Sequence, residues 1–296
     1  MKLLLVYNPH AGHDNALKIL PKVKKKLQEC GIEFDIHLTD YPEHATQIVN
    51  EADFSQYDAL GAAGGDGTLF EVINGYYKNQ SEKRLPLAIL PVGTGNAFAR
   101  DLGLDELNFE KAIDLINPGR TKKIDVGKFT THGQVYYFLN ILGLGFVADV
   151  TETAHKLKLF GNFSYTLGVL WQILFKKSHR LEIEVDSEKH VMEALFTEIS
   201  NTRYTSNFLM APTAAIDDGY FDITVLKNMG RFRLLKALPT VFTGDHIHLP
   251  EVETWKATKI KVVTDVPKVL TPDGELLGIT PIEVECLKQA IEVFWK

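Results

Sequence analysis

DALGAAGGDGTLFEVINGYY, residues 58–77, decides how the N-terminal half folds. Ala59, Leu60, Gly61, Ala62 and Ala63 are small or apolar without a break, the composition of a short strand buried on both faces. The run stops at Gly64-Gly65-Asp66-Gly67-Thr68, and apolar residues return at helical spacing at Leu69, Val72, Ile73 and Tyr76. A glycine loop between a buried strand and a helix N-terminus leaves backbone N–H groups outside the helix ladder, where phosphate binds well. Two other readings stand beside this one. The loop can be a tight corner without a ligand, or Thr68 and Glu71 can form a capping box that satisfies those amides internally. The carboxylate of Asp66 tilts the balance, because beside a phosphate site it suits a metal ion or a hydroxyl to be activated.

Outward from this unit the first third alternates strand and helix. Residues 2–7 read as a strand, 8–12 as a loop, and a helix runs to Cys30 with Leu17, Leu20, Val23 and Leu27 on one side and Gly31 as its stop. A strand over 32–38 and a helix over 43–52 precede the glycine loop. Another buried strand, 85–90, leads into Pro91-Val92-Gly93-Thr94-Gly95-Asn96, where Asn96 is placed to cap a helix over 97–102. Repeated βα units predict a mostly parallel sheet with helices on both faces, and loops gathered at the ligand-binding edge. The loops at 8–12, 64–68 and 93–96 therefore converge. None is a Walker A loop and none fits GxGxxG, so a dehydrogenase fingerprint has little support.

From about Arg120–Asp125 the pattern turns to strands: 126–130, 135–142, 181–186, 191–200, 221–226, 259–264, 282–287 and 291–295. Helical inserts fall near 147–177 and 231–242. The expected division is 1–124 and 125–296, with a boundary in 117–125 and a last strand that can pack back on the first domain. The longer insert is aromatic and apolar (Phe160, Phe163, Tyr165, Leu170, Trp171), and Lys156, Lys158, Lys176, Lys177, His179 and Arg180 flank it. It reads either as a cover for a sheet or as a segment lying on an anionic bilayer. Asp217-Asp218-Gly219 and Asp273-Gly274-Glu275 are each a turn or a pair of carboxylates offered to a ligand.

Composition narrows the class. The chain has 296 residues, 45% hydrophobic and 24% charged, ordinary for a globular protein of two domains. A net charge of −6 argues against a general nucleic-acid binder. Cys30 and Cys286 give neither a disulfide framework nor zinc spacing, and His10, His13, His246 and His248 fit no metal motif. No secretion signal is expected, since the apolar run 3–7 ends at Asn8-Pro9, and the apolar segment 160–175 falls short of the ~20 residues of a spanning helix. A cytoplasmic protein, without a transmembrane segment and without nucleic acid as partner, is the expectation.

Together the motifs resemble the diacylglycerol kinase catalytic-domain family, especially the small bacterial lipid kinases related to sphingosine and ceramide kinases. The matching stretches are NPHAG (8–12), GGDGTLFEVINGY (64–76), PVGTGNAFARDLG (91–103), APTAAIDDGYFDITVL (211–226) and DGE (273–275), in the family's order and nearly end to end. The glycine-Asp loop alone is shared with NAD kinases and phosphofructokinases. PVGTGNAFAR and AAIDDGYFD are the specific segments. Phe70 stands where the family usually has Asn, and Ala97 where it often has Asp.

The resemblance implies an N-terminal Rossmann-like α/β domain with a mostly parallel sheet and a C-terminal β-sandwich-like domain, with the active site in the interdomain cleft. It implies ATP and Mg²⁺ as cofactors, and Asn8, Pro9, His10, Ala11, Gly12, Thr39, Gly64, Gly65, Asp66, Gly67, Thr68, Glu71 and Thr94 as nucleotide contacts. Asp66 would meet the catalytic Mg²⁺ through water or orient the acceptor, and Glu275 would be the general base supported by Asp273. Asp218, with backbone oxygens of Ala215 and Tyr220, would hold a second, structural Mg²⁺. The implied activity is phosphorylation of the hydroxyl of diacylglycerol or a similar lipid alcohol, at a membrane surface on the cytoplasmic side. A homodimer is compatible with it. The alternatives are a soluble small-molecule kinase of the NAD kinase type and a non-catalytic nucleotide- or lipid-responsive binding protein.

Overall fold

The computed structural model describes residues 1–104, 108–145, 177–205 and 208–296. The insert expected over 147–177 therefore lies outside the described residues, apart from Lys177. The described chain divides into two compact units, residues 1–126 with 288–296, and residues 127–287.

The first unit is built from β1 (Lys2–Tyr7), α1 (Asn15–Glu29), β2 (Glu33–Leu38), α2 (His44–Glu51), β3 (Ala59–Gly64), α3 (Asp66–Lys78), β4 (Leu87–Pro91), α4 (Ala97–Asp101), α5 (Phe109–Ile116) and the start of β5 (Thr121–Thr131). Its strands β4-β3-β1-β2 are all parallel, with Leu3 opposite Ala59 and Phe34, and Leu60 opposite Leu87. Every residue of β3 and β4 is buried, as a parallel sheet covered on both faces requires. In α1 the buried stripe is Ala16, Leu20, Val23 and Leu27. Leu17, expected on that stripe, is 53% exposed, because Ala16 holds the inward position one residue earlier. The sequence reading missed α5, although Asn108 caps it, accepting from the Lys111 amide at 3.0 Å, and Phe109, Ala112, Ile113 and Ile116 form its buried stripe.

The second unit continues β5 and adds β6 (Gln134–Phe138), β7 (Ile141–Gly145), β8 (His179–Val185), β9 (Glu188–Ser200), β10 (Tyr204–Thr205), β11 (Phe208–Leu209), β12 (Phe221–Lys227), α6 (Arg231–Ala237), α7 (Thr240–Thr243), β13 (Val252–Ala257), β14 (Lys259–Thr264), β15 (Leu270–Pro272) and β16 (Ile282–Phe294). The final residues of β16 belong to the first unit, where Val293 lies parallel to Leu87 and the Trp295 amide donates to the Arg120 carbonyl at 3.0 Å.

Long β9 organises this β-sandwich-like unit. Its first half pairs antiparallel with β8 and its second half with β7, while β12 runs along the other edge. Phe138 stacks on Phe221 at 5.5 Å and tilts on Phe129 at 6.2 Å, and all three rings are fully buried. Each such ring contributes roughly 1.5–3 kcal/mol by leaving water.

Several expected elements are redrawn. The strand expected over 135–142 breaks at Leu139-Asn140, and the helix expected over 231–242 breaks before Pro239, which has no N–H to continue it. The strands expected over 282–287 and 291–295 form one strand, β16. β13 was not anticipated, because the alternation in VETWKA puts charge and ring side by side. His179, read as part of a basic flank, is buried at the start of β8.

Candidate active site

Adjacent parallel strands bring the three N-terminal loops together. The Asn8 amide donates to the Ala63 carbonyl at 2.9 Å, and its side-chain amide donates to Thr68 Oγ1 at 3.1 Å. Asn8 Oδ1 in turn accepts from the His10 amide at 3.0 Å, which fixes the turn after β1. The Gly64 carbonyl accepts from the amides of Val92 and Gly93 at 3.1 and 3.0 Å, and the Asp66 amide donates to the Gly95 carbonyl at 2.9 Å. Gly65 and Gly93 nearly touch. A Cβ on Gly93 would lie 2.6 Å from Gly65 Cα and N, and one on Gly65 would lie 2.7 Å from the Gly95 carbonyl oxygen. Gly12 has φ +63°, and a Cβ there would stand 2.9 Å from the Val92 carbonyl oxygen. Only glycine allows loops to meet backbone on backbone in this way.

Neither capping device expected from sequence forms. Asn96 turns back, its side-chain amide donating to the Gly93 carbonyl at 2.6 Å. The Asp66 carboxylate receives the Ala97 and Phe98 amides instead, at 3.0 and 3.3 Å, so the glycine loop caps α4. Thr68 accepts from Asn8, and Glu71 caps α2 by accepting from the Glu43 and Ala45 amides at 2.9 and 3.1 Å. No capping box closes over α3. Its first intrahelical bond runs from the Leu69 amide to the Gly65 carbonyl at 3.1 Å, which leaves the Gly67 and Thr68 amides outside the ladder.

Of the residues read as nucleotide contacts, Asn8, Gly12, Gly64, Gly65, Asp66 and Thr68 are joined through these bonds and close approaches, with Pro9, His10, Ala11 and Gly67 between them in the same loops. Exposed Thr94 sits between Gly93 and Gly95. Thr39 is buried just after β2, its amide on the Tyr7 carbonyl at 2.9 Å, and Glu71, in α3, turns its carboxylate to the start of α2. Gly93 and Gly95 were not singled out as contacts, and the signal that marks them is the GTG of the third loop. Phe70 is buried in α3 and Ala97 in α4. The loops fit a triphosphate in kind: close-packed glycine backbone, a helix N-terminus with amides outside its ladder, and no Cβ in the way.

In the second unit Asp273 is buried with φ +48°, and its carboxylate accepts from the amides of Leu139, Asn140 and Ile141 at 3.0, 2.8 and 3.0 Å. These bonds account for the break between β6 and β7. The Asp273 amide returns a bond to the Ile141 carbonyl at 2.9 Å, and Gly274 at φ +90° tightens the turn. Glu275 follows on the exposed side of that turn. Asp273 thus positions the turn that presents Glu275.

Asp218 makes an Asx turn, Oδ1 accepting from the Tyr220 amide at 3.0 Å, while Oδ2 accepts from Lys256 at 3.0 Å. The Lys256 ammonium also lies 3.2 Å from Asp222 Oδ2 and from the Thr213 carbonyl. Partial burial works against this charge, yet bonds to Asp218 and Asp222 hold its pKa above the ordinary lysine value. Among the described residues no group of three or more His, Cys, Asp or Glu is arranged to hold a metal. A magnesium ion at Ala215, Asp218 and Tyr220 would rest on one carboxylate and two main-chain carbonyls. Those are hard oxygens of the right kind, and Lys256 competes for one of them. Lys256 was not foreseen from sequence.

Residues 2–129 match the family model of the diacylglycerol kinase catalytic domain, and residues 140–295 match that of the YegS C-terminal NAD kinase beta sandwich-like domain. The chain is 32% identical over 292 residues to a diacylglycerol kinase of Bacillus subtilis (strain 168), covering 98% of this chain and 94% of that protein. It is 34% identical over 293 residues to a diacylglycerol kinase of Staphylococcus saprophyticus, with the same coverages of 98% and 94%. The crystal structure of a diacylglycerol kinase from Bacillus anthracis superposes with a TM-score of 0.81 at 30% identity, over 100% of this chain and 97% of that one. Family models that together run nearly end to end, and relatives matched over nearly their whole length, place the chain in the diacylglycerol kinase family, a family of lipid kinases.

Proposed function

We propose that the chain transfers the γ-phosphoryl group of ATP, with Mg²⁺, to the hydroxyl of diacylglycerol or a similar lipid alcohol. The observation that carries this reading is the interlock of three glycine-rich loops around the N-terminus of α3, in a chain of this family. Phosphoryl transfer asks a protein mainly to position two oxygens in line and to neutralise charge, and backbone amides do the first part without a Walker lysine.

ATP supplies the phosphoryl group when bound, and Mg²⁺ neutralises charge on its phosphates. Asn8, Pro9, His10, Ala11, Gly12, Thr39, Gly64, Gly65, Asp66, Gly67, Thr68, Glu71 and Thr94 would hold the nucleotide, some by contact and some, such as Glu71, by fixing the neighbouring helix. The first unit is then the nucleotide-binding part and the second the lipid part. Asp66 unites the loops through its bonds to Ala97 and Phe98, and its carboxylate would meet Mg²⁺ through water or orient the acceptor. Glu275 takes the proton of the acceptor hydroxyl, and Asp273 keeps it in place. A lipid acceptor implies work at a membrane surface, for which a cytoplasmic protein would bind peripherally. No helix among the described residues is long and apolar enough to cross a membrane.

The test is incubation with γ-labelled ATP, Mg²⁺ and a total lipid extract. Label in the organic phase supports the reading. Label confined to the aqueous phase would favour a soluble small-molecule kinase instead.

A further inference from the structure

The hairpin that carries Glu275 has two arms. The first is β15, paired with β7 and locked at its end by the three amides that Asp273 accepts. The second, residues 277–279, folds back on β15. The Leu277 amide donates to the Leu270 carbonyl and the Leu270 amide to the Gly278 carbonyl, each at 3.1 Å. Val269 and Ile279 face each other as a non-hydrogen-bonded pair, so the N–H and C=O of Ile279 point away from β15. At the end of β5 the Thr131 hydroxyl meets both: it donates to the Ile279 carbonyl at 2.6 Å and accepts from the Ile279 amide at 3.3 Å. One buried hydroxyl thus does for Ile279 what a neighbouring strand would do. The fit is close. Gly278 has φ +76°, and a Cβ there would stand 2.7 Å from Thr131 Cγ2.

Both anchors come from one ribbon. β5 and β6 pair from Gly127 opposite Phe138 to Thr131 opposite Gln134, and residues 139–141, which hold Asp273, follow β6 directly. Thr131 stands at the turn end of that ribbon, where His132 and Gly133 take φ +46° and +77°. The ribbon therefore grips the hairpin twice, at Asp273 on the outgoing arm and at Ile279 on the returning one. Asp273 by itself fixes only one end of the exposed turn. A base must keep its oxygen within hydrogen-bond reach of the proton that it takes, and a carboxylate on a turn held at one end wanders from that position. We propose that Thr131 is a positioning residue for Glu275: its hydroxyl anchors the returning arm and so holds the carboxylate at the acceptor hydroxyl. The proposal rests on the reading of Glu275 as the base.

Three variants of the full chain test this. Thr131→Ser keeps the hydroxyl and drops the methyl, Thr131→Ala drops both, and Thr131→Val keeps the bulk without the hydroxyl. Amide hydrogen exchange over residues 274–280, read by mass spectrometry, should quicken by up to about tenfold in the Ala and Val variants and stay near wild type in Thr131→Ser. With γ-labelled ATP and diacylglycerol in detergent micelles, kcat should fall roughly tenfold to a hundredfold in Thr131→Ala, with KM for ATP unchanged, and recover in Thr131→Ser. A thermal melt reports folding, and the Ser and Ala pair carries the comparison if Thr131→Val does not fold. Unchanged exchange in the hydroxyl-free variants overturns the proposal. So does a Thr131→Ser variant as impaired as Thr131→Ala, or a rise in KM for ATP in place of the fall in kcat. A wild-type chain that labels no lipid would sink the kinase reading, whereas unchanged exchange sinks the anchor whatever the activity.

Discussion

The Asp66 carboxylate accepts the Ala97 amide at 3.0 Å, so a residue of the second loop caps the helix that follows the third. Asp66→Ala removes that cap and the neighbouring bond to Phe98 together. The expected loss is about 1–2 kcal/mol of stability and most of the turnover. Asp66→Asn keeps one carbonyl acceptor, so it should lose far less stability but comparable turnover. Urea unfolding and a kinase assay on both variants separate the two effects. Full activity in Asp66→Asn would confine the residue to capping.

Gly93→Ala should separate the loops. The new methyl would stand 2.6 Å from Gly65 backbone atoms, and neither partner has a side chain that could turn aside. A cost of about 1–3 kcal/mol and a marked loss of ATP affinity are expected, read by denaturation and titration calorimetry. Unchanged affinity would move the phosphate site away from these loops.

Glu198 predicts a pH dependence of stability. It is fully buried, and burial lifts its carboxyl from 4.5 to about 7, against bonds from Thr205 and Ser200 that favour the charged form. The folded pKa is therefore above the unfolded one, and the folded state holds a proton that the unfolded chain releases first. Stability from this group is complete below about pH 4.5 and is lost as pH rises through about 7, at about 1.4 kcal/mol per pH unit. Glu198→Gln keeps the shape without the ionisation, so it should flatten urea midpoints across that window and raise stability above it. An unchanged slope would remove Glu198 as its source. His179, pushed down to about 4 mainly by burial, acts in the opposite sense, since protonating it as pH falls from 6.5 costs stability.

Lys256 supplies positive charge where a metal could bind. Lys256→Met should lower stability by about 1–2 kcal/mol, less than for a fully buried pair because the ammonium is part-exposed. Added Mg²⁺ should restore part of that loss while leaving the wild type little changed. An equal response of both proteins to Mg²⁺, by thermal melt, would show that Lys256 and the ion do not compete.

What the sequence made legible was whatever local pattern enforces. The small-residue run before Gly64 can only be a doubly buried strand, and Leu69 to Tyr76 can only repeat as a helix, so the parallel sheet and its gathered loops followed. The bonds that finish the site join residues remote in sequence and escaped such reading. Asn96 is a good cap by type, yet Asp66, thirty-one residues before Ala97, takes the amides. Asp273 read as part of a turn or as half of a carboxylate pair, and its three partners at 139–141, which no local pattern marks, show the side chain that fixes the turn. Lys256 was hidden for the same reason: one lysine in an alternating edge strand has no local mark that it faces Asp218 of a turn and Asp222 of the neighbouring strand.

The most direct measurement follows labelled phosphate from ATP to purified diacylglycerol, for wild type and Glu275→Gln, with ATP affinity taken on the same preparations. The wild type is predicted to carry label into the organic phase, and the variant to bind ATP equally well and carry none. A wild-type protein that is folded, binds ATP and leaves the organic phase unlabelled would contradict the account.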